Sequence, residues 1–346
     1  MKKIILSFIA VVFVAVLCCG CNQAVIVIPG EDDPSAEKEH YYNPLTNMEV
    51  AGPISNRIIA VSIDNHPDAR PQYGVNDADI VYEVPAEGMI PRLVAIFYAN
   101  VPDQVGGVRS ARPYIVNIAR EWGALMVHCG GSQEALSYLS GGIVDDMNEI
   151  GNGSYFWRDN TQYAPHNLMI YGKDMYKYLR DKGYATVSEN VRQLNFRAED
   201  QPAAGEPVDR IRVKFSYADN EYIYDNSIGC YYRVTDGERF TDKSNNDPVH
   251  VANLIIQRVT SSAMDSYGRL NIDMCAGGEA WLFTAGKMVH GSWSRAGLDS
   301  PTVFVDDAGE EFALSAGQTW IEIADQNVSL TYENTSAIAD SEQQEL

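Results

Sequence analysis

The chain has 346 residues, of which 47 are acidic and 26 are basic, so its formal net charge is −21 at neutral pH. A surface this acidic repels the phosphates of nucleic acids and argues against a basic face for membrane docking. The hydrophobic fraction of 45% indicates a globular chain, long enough for about two domains.

The N-terminus resembles an export signal. Lys2 and Lys3 precede an apolar run at residues 4–17, which as a helix rises about 21 Å and is too short for a membrane core of roughly 30 Å. Gly20-Cys21 resembles a bacterial lipobox, although Cys18 stands where such motifs usually have leucine. We expect residues 1–20 to be cleaved and Cys21 to carry acyl chains such as palmitate. The chain is then anchored by lipid on the outer face of the cell membrane. An ordinary secretory signal and an uncleaved anchor are the alternatives.

Removal of the two signal lysines leaves the mature chain with a formal net charge of −23. The composition of this chain changes along its length. Residues 21–40 read as an acidic tether and residues 334–346 as a polar tail. A second break falls at residues 197–209, where Pro202, Gly205 and Pro207 lie among acidic residues. We therefore predict a linker there, between an N-terminal domain at 41–196 and a C-terminal domain at 210–333.

The N-terminal domain alternates strand-like and helix-like segments. Short apolar runs at 58–63, 90–99 and 125–129 predict strands, and residues 113–122, 133–139 and 173–182 predict helices. Such alternation is typical of a mixed α/β domain.

The C-terminal domain changes character. Short extended runs occur at residues 211–217, 222–224, 230–234, 251–259, 270–274, 280–284, 287–293, 302–305, 311–314 and 319–323. Asp236-Gly237, Ala285-Gly286 and Ala308-Gly309 supply turns between them. This pattern predicts an antiparallel β-rich domain, and an α+β fold for the whole chain.

Polar residues concentrate at the predicted strand ends of the N-terminal domain. We predict that a polar groove there binds a ligand through Asp64, Asn65, His66, Arg109, Ser110, Arg112, His128, Gly130, Gly131, Ser132, Arg158, His166 and Asn167.

Several longer motifs surround these residues. They include Ile63-Asp64-Asn65-His66, Arg70-Pro71-Gln72, Gly107-Val108-Arg109-Ser110-Ala111-Arg112, His128-Cys129-Gly130-Gly131-Ser132, Ala164-Pro165-His166-Asn167 and Gly291-Ser292-Trp293-Ser294-Arg295. In these motifs the chain resembles the YerB-like family of Gram-positive envelope lipoproteins. The resemblance covers nearly the whole mature chain. It implies two domains and a surface location, but the family has no established biochemical activity.

Two of these motifs have a functional and a structural interpretation. Arg109 and Arg112 can form an anion cradle at the start of a helix, or they can pair with Asp64, Asp79, Glu83 or Glu87 as scaffold. The turn Gly130-Gly131-Ser132 can bind an oxyanion through backbone N–H groups, or it is a tight turn with a serine cap.

Four further patterns favour the structural interpretation. Cys129 beside His128 suggests a thiol nucleophile, but neighbours on a strand point to opposite faces. Histidines and carboxylates can converge on a metal, although no local spacing requires it. Glu83 and Glu87 invite comparison with glycosidases, and Trp281, Trp293 and Trp320 with a sugar platform, yet ion pairing and core packing explain them as well.

We therefore predict a non-enzymatic envelope module whose groove binds an anionic cell-wall or peptide ligand, with no metal, no cofactor and no nucleic acid. A hydrolase of cell-envelope polymer that uses the same histidines and carboxylates is the alternative. A structural partner of another envelope protein is the third hypothesis. Cys129, Cys230 and Cys275 are expected to be buried small residues, with one optional disulfide.

Overall fold

The computed structural model describes residues 39–266 and 268–335. The predicted signal, Cys21, almost the whole tether and the tail beyond Thr335 lie outside these residues. None of the helices in the described ranges has both the length and the apolar character that a membrane span requires.

The first half of the described chain contains strands and helices in alternation. Its strands are β1 (Tyr41–Tyr42), β2 (Glu49–Val50), β3 (Ile59–Ile63), β4 (Ile80–Val84), β5 (Arg92–Phe97), β6 (Gln104–Gly106), β7 (Leu125–His128), β8 (Asp146–Asn148), β9 (Phe156–Arg158) and β10 (Leu168–Tyr171). Its α-helices are α1 (Pro113–Glu121), α2 (Gln133–Ser140), α3 (Glu149–Asn152) and α4 (Gly172–Lys182). Short 3-10 helices occur at Pro67–Ala69, Glu87–Met89 and Gly153–Tyr155.

The second half is made of strands. They are β11 (Glu206–Pro207), β12 (Arg210–Lys214), β13 (Asp219–Asp225), β14 (Cys230–Thr235), β15 (Glu238–Arg239), β16 (His250–Val251), β17 (Asn253–Arg258), β18 (Ser261–Ala263), β19 (Leu270–Ile272), β20 (Gly277–Thr284), β21 (Lys287–Ser294), β22 (Val303–Asp306), β23 (Thr319–Ala324) and β24 (Ser329–Glu333). The α+β fold class is therefore confirmed.

The sequence prediction missed several strands, among them β4, β10 and β24. It also placed a strand at 311–314, where the structure has only isolated bridges from Glu311 to Val305 and from Leu314 to Phe196. Every residue of β4 is buried, so the strand lacks the alternation of apolar and polar residues that marks a half-buried strand.

One large sheet joins the two halves. Its strands lie in the order β11-β21-β20-β17-β23-β4-β5-β3-β7-β8, with β22 paired to β21. The joining pair is parallel and runs from Thr319 beside Ile80 to Glu322 beside Glu83. The segment 197–209, predicted as a linker, contains β11, which pairs with β21. The two halves thus share a sheet and a core, which strand patterns read one at a time do not reveal.

The central strands are covered on both faces. Ile59, Val61 and Ile63 pack in one cluster with β12 to β14 of a second sheet, ordered β15-β14-β13-β12-β24 with β16 beside β14. Ala60 faces the other side, in the cluster that includes Ile115 of α1. Alternate residues of β3 therefore serve two different core layers, which explains why the run is apolar throughout.

Candidate functional site

The backbone brings three predicted site residues together at the end of β3. The Asp64 N–H donates to the Gly107 carbonyl at 2.8 Å, and the Arg109 N–H donates to Ser62 at 2.8 Å. The Val108 N–H donates to Leu168 at 2.6 Å, which ties the same loop to the start of β10, next to His166. These bonds fix the starting points of the Asp64, Arg109 and His166 side chains.

Gly107 allows this close approach. A Cβ atom at residue 107 would lie 2.6 Å from the carbonyl oxygen of His166 and 3.8 Å from the Asp64 Cβ. Any side chain there would push the His166 backbone away from Asp64. Glycine is therefore required by space at this position.

Asp64, His66, Arg109 and His166 form one cluster, called here the Asp64 cluster. Asp64 Oδ2 lies 2.7 Å from His166 Nδ1 and 3.0 Å from Arg109 Nε, while its Oδ1 accepts the His66 N–H at 3.1 Å. The rings of His66 and His166 stack with their centroids 4.7 Å apart. The carboxylate is the hub that orients the other three groups.

The side chains around Asp64 are more exposed than Asp64 itself. The Asp64 side chain is 5% exposed, against 25% for Arg109 and 34% for His66. Asp64 hydrogen-bonds Nδ1 of His166 and lies at ion-pair distance from Nε of Arg109, without a hydrogen bond to it. The terminal nitrogens of Arg109 and Nε2 of both histidines also have no hydrogen-bond partner in the described part of the chain. The cluster therefore presents a guanidinium fork and two imidazole edges to its surroundings.

A second polar group contains Arg158. Arg158 donates to Asn167 Oδ1 at 3.0 Å and lies 3.9 Å from Glu149. Asn167 donates in turn to the Asp159 and Gln162 carbonyl oxygens and so holds the loop that leads to His166. Arg158 is 47% exposed and adds a positive charge near the loop.

Cys129 lies beside this group but is not an activated thiol. Its Sγ donates to Glu149 at 3.3 Å. Burial, followed by that hydrogen bond and the Glu149 charge, raises the pKa of Cys129 to about 11. Because nucleophilic cysteines need a lowered pKa, the raised pKa and the Glu149 contact favour the structural interpretation of Cys129. Cys129, Cys230 and Cys275 are free thiols and only partly buried, which corrects the expectation of buried residues.

Arg112 is not part of the Asp64 cluster. Its Nε contacts Glu87, and its Nη1 donates to the Ala111 carbonyl at 2.7 Å. Burial raises the pKa of Glu87, but the hydrogen bond and charge of Arg112 outweigh this and leave it below its ordinary value. The Ser110 carbonyl is taken by Arg92 at 2.6 Å. Of the two interpretations of Arg109 and Arg112, the ion pairs match the structure, because Arg109 pairs with Asp64 and Arg112 with Glu87. The two guanidiniums do not form a joint cradle.

Two other predicted groove residues are buried away from the cluster. Asn65 is fully buried and donates to Glu83 at 2.9 Å. His128 is also fully buried, and its ring nitrogens lie 2.7 Å from the Gly130 carbonyl and 3.0 Å from Asp146. The sequence does not distinguish a polar residue at a strand end that faces solvent from one that faces the core. The prediction therefore included both Asn65 and His128 in the groove.

The glycine turn after β7 has a structural role. Ser132 caps α2 by accepting the Ala135 N–H at 3.2 Å, as the structural interpretation predicted. The Gly130 N–H donates to Asn148 at 2.9 Å, and Gly131 packs against Ala111 and Leu136. The oxyanion interpretation of the turn has no support from these contacts.

The glycosidase and sugar-platform interpretations also fail. Glu83 is fully buried against Arg233, so it does not face a cleft. Trp293 and Trp320 are 2% and 0% exposed. They serve as core, which was the structural interpretation of these residues.

A cavity of about 620 Å³ lies elsewhere in the molecule. Arg57, Glu121, Trp122 and Arg192 are among its lining residues, and none of the Asp64 cluster lines it. Its arginines are engaged: Arg57 contacts Asp145, and Arg192 contacts Glu311. The predicted groove and this cavity are therefore different places.

Two acidic residues near the cluster were absent from the predicted site. The Asp68 N–H donates to His66 Nδ1 at 3.2 Å, and Glu149 contacts both Cys129 and Arg158. Asp68 was detectable as the carboxylate two residues after His66. The sequence around Glu149 does not indicate that it lies near Cys129 and Arg158, because the pairing of β7 with β8 brings it there.

Comparisons with known proteins agree with the resemblance seen in the sequence. The sequence models of the N-terminal and C-terminal domains described as "Protein of unknown function (DUF3048)" match residues 45–185 and 211–321. The chain is 34% identical over 322 residues to "Putative lipoprotein YerB" of Bacillus subtilis (strain 168), covering 91% of this chain and 93% of that protein. The crystal structure of the YerB protein from Bacillus subtilis matches with a TM-score of 0.77 and 33% identity, over 84% of this chain and 99% of that chain.

Proposed function

This chain belongs to the DUF3048 family, and from that premise we propose that it is a lipid-anchored envelope protein that binds an anionic ligand at the Asp64 cluster. The anchor is the acylated Cys21, and the folded part lies on the outer face of the cell membrane. Gly20-Cys21 and the lipoprotein name of the Bacillus subtilis relative support this part of the proposal.

The binding proposal depends on the geometry of Arg109. Nε of Arg109 forms an ion pair with Asp64 at 3.0 Å, and the fork of terminal nitrogens is unpaired among the described residues. A guanidinium fork matches the two oxygens of a carboxylate or phosphate. Because Asp64 also orients His166, the anion would meet a preorganised pair of groups. Wall polymers and peptides with free carboxylates or phosphates are the class of ligand that fits.

Thermal denaturation with added ligand tests this proposal. Soluble wall fragments, citrate and phosphate are titrated against the mature chain in detergent, against Arg109→Gln and against Arg212→Gln. Arg212 pairs with Asp219 in an exposed hairpin, so its substitution removes an equal charge elsewhere. A ligand at 100 times its dissociation constant should stabilise the wild type and Arg212→Gln by about 2.7 kcal/mol, and Arg109→Gln much less. Equal stabilisation of all three proteins would refute the proposal.

A hydrolase remains the second candidate, because one observation favours it. The 2.7 Å contact between Asp64 and His166 has the geometry of a carboxylate that orients a general base. Release of soluble fragments from purified wall by the wild type, lost in His166→Gln, would favour the hydrolase. Ligand-dependent stabilisation without such release favours the binding module.

A further inference from the structure

His66, Asp68 and His166 lie close enough to share one metal ion. Each offers a ligand atom, and these atoms all lie within 4.8 Å of one another. His66 and Asp68 flank Pro67 at the start of a 3-10 helix, whereas His166 comes from a loop a hundred residues later. No local spacing in the sequence predicts this group of three residues.

The environment of His166 is that of a metal ligand. Its Nδ1 contacts Asp64 at 2.7 Å, so Nε2 is the nitrogen directed away from the carboxylate. Histidines that bind metals commonly donate their other ring N–H to a carboxylate, which fixes the tautomer and raises the basicity of the ligand. Asp64 is itself held by Arg109 and the His66 N–H, so this supporting shell is complete.

The ligand atoms of His66 and Asp68 would have to move closer to His166 to bind one ion. In a tetrahedral zinc site with bonds of about 2.0–2.1 Å, ligand atoms lie about 3.4 Å apart. The Asp68 side chain is 74% exposed and that of His66 34%, so little packing opposes a shift of either side chain. Binding would replace the hydrogen bond that His66 Nδ1 accepts from the Asp68 N–H. The strongly acidic surface of the chain also raises the local concentration of divalent cations.

We infer that His66, Asp68 and His166 bind a divalent transition metal of the zinc class, with the fourth coordination position left to water or to the anion. Two imidazoles and one carboxylate suit zinc rather than magnesium or calcium, which prefer oxygen ligands. The ion and the Arg109 fork would together take the anionic group of the ligand. In that respect the inference rests on the proposed function, but metal binding itself does not need the ligand.

Zinc binding by the mature chain without any anion tests the inference. The protein is equilibrated with zinc chloride, dialysed and analysed for metal, and the affinity is measured by competition with a chromophoric chelator. We expect one zinc ion per chain in the wild type and in His40→Gln. His40 is the matched control, because it is an exposed histidine paired with a carboxylate, Glu49, as His66 is paired with Asp68.

The variants give the discriminating result. His66→Gln changes a partly exposed side chain and should fold normally while losing the zinc. Asp64→Asn should weaken binding about 10- to 100-fold, as the loss of a supporting carboxylate does elsewhere. No zinc in the wild type, or the same zinc content in His66→Gln and His166→Gln, would overturn the inference.

The soluble wall fragments are then added with and without zinc, because citrate and phosphate bind zinc themselves. An Arg109-dependent response that needs no zinc, in a protein that binds none, would leave the proposed function standing and refute the metal site. Zinc bound through His66 and His166 with no anion response would leave the metal site standing and refute the proposed function.

Discussion

The buried guanidinium of Arg233 in β14 lies 2.6 Å from the buried carboxylate of Glu83 in β4, and both side chains are fully enclosed. Arg233 also lies 3.6 Å from Glu322 of β23 and stacks over the ring of Trp320 at 4.4 Å. Burial first, and then the charge of Glu83, raises the pKa of Glu322 well above its ordinary value. One cation from the second half therefore compensates a carboxylate of the first half.

Replacing Arg233 with methionine should destabilise the protein by about 3–5 kcal/mol, because it removes the cation beside two buried carboxylates and leaves Glu83 only the amides of Asn65 and Asn220. Urea unfolding measures the loss. Arg212→Met in the same sheet, where the pair with Asp219 is exposed, should cost less than about 1 kcal/mol. Equal unfolding midpoints for the two variants would contradict this description of the shared core.

Substitutions of Arg109 and Arg112 should have different effects on the free energy of unfolding. Arg112→Gln removes the close partner of Glu87, which is 20% exposed, and should cost about 1–3 kcal/mol. Arg109→Gln should cost less than Arg112→Gln, because Asp64 keeps His166 and the His66 N–H. Urea unfolding of both variants decides the point. A cost for Arg109→Gln equal to that for Arg112→Gln would make Arg109 scaffold rather than ligand contact.

Asp79 should make stability fall as pH rises. Burial raises its pKa to about 6 from the ordinary 3.8, although hydrogen bonds from Tyr98, Asn43 and Ala99 oppose the shift. Between these values the folded state binds the proton more tightly than the unfolded state, so stability decreases through this window and is constant above it. Asp79→Asn removes this contribution. The destabilisation caused by Asp79→Asn should therefore be larger at pH 4 than at pH 7, by up to about 3 kcal/mol.

The measurement for Asp79 is the difference in unfolding free energy between wild type and variant at each pH. Other titrating groups are common to both proteins and cancel. A difference that is the same at pH 4 and pH 7 would show that Asp79 titrates alike in the folded and unfolded chains.

The membrane anchor is tested at Cys21. Cys21→Ala should accumulate as unprocessed precursor, and globomycin should block maturation of the wild type. Mass spectrometry of the mature N-terminus should find an acylated Cys21. Cys19→Ala is the matched control and should be processed normally. An unmodified N-terminus at another residue would refute lipid anchoring.

The sequence predicted the separate elements better than their assembly. The run that became β3 and the helix that starts at Pro113 were placed within one or two residues, because local propensity and capping suffice for them. The parallel pairing of Ile80 with Thr319 was invisible, since it joins residues far apart in the chain and β4 contains the buried Glu83. Boundaries drawn from composition do not reveal a strand that pairs across them.

The candidate site shows the same limit. The sequence indicated that Asp64, Arg109 and His166 belong to polar strand ends, and the structure brings them together. It gave equal weight to His128, which has 0% exposure. Which polar side chain turns inward depends on neighbouring strands such as β8, and those contacts are not encoded locally.

A crystal structure of the mature chain with the anion that gives the largest Arg109-dependent stabilisation tests the binding proposal most directly. We predict that a carboxylate or phosphate of the ligand lies within hydrogen-bond distance of the terminal nitrogens of Arg109 and next to the His166 ring. Ligand bound instead in the cavity lined by Arg57 and Trp122, with the Asp64 cluster untouched, would contradict the proposed function.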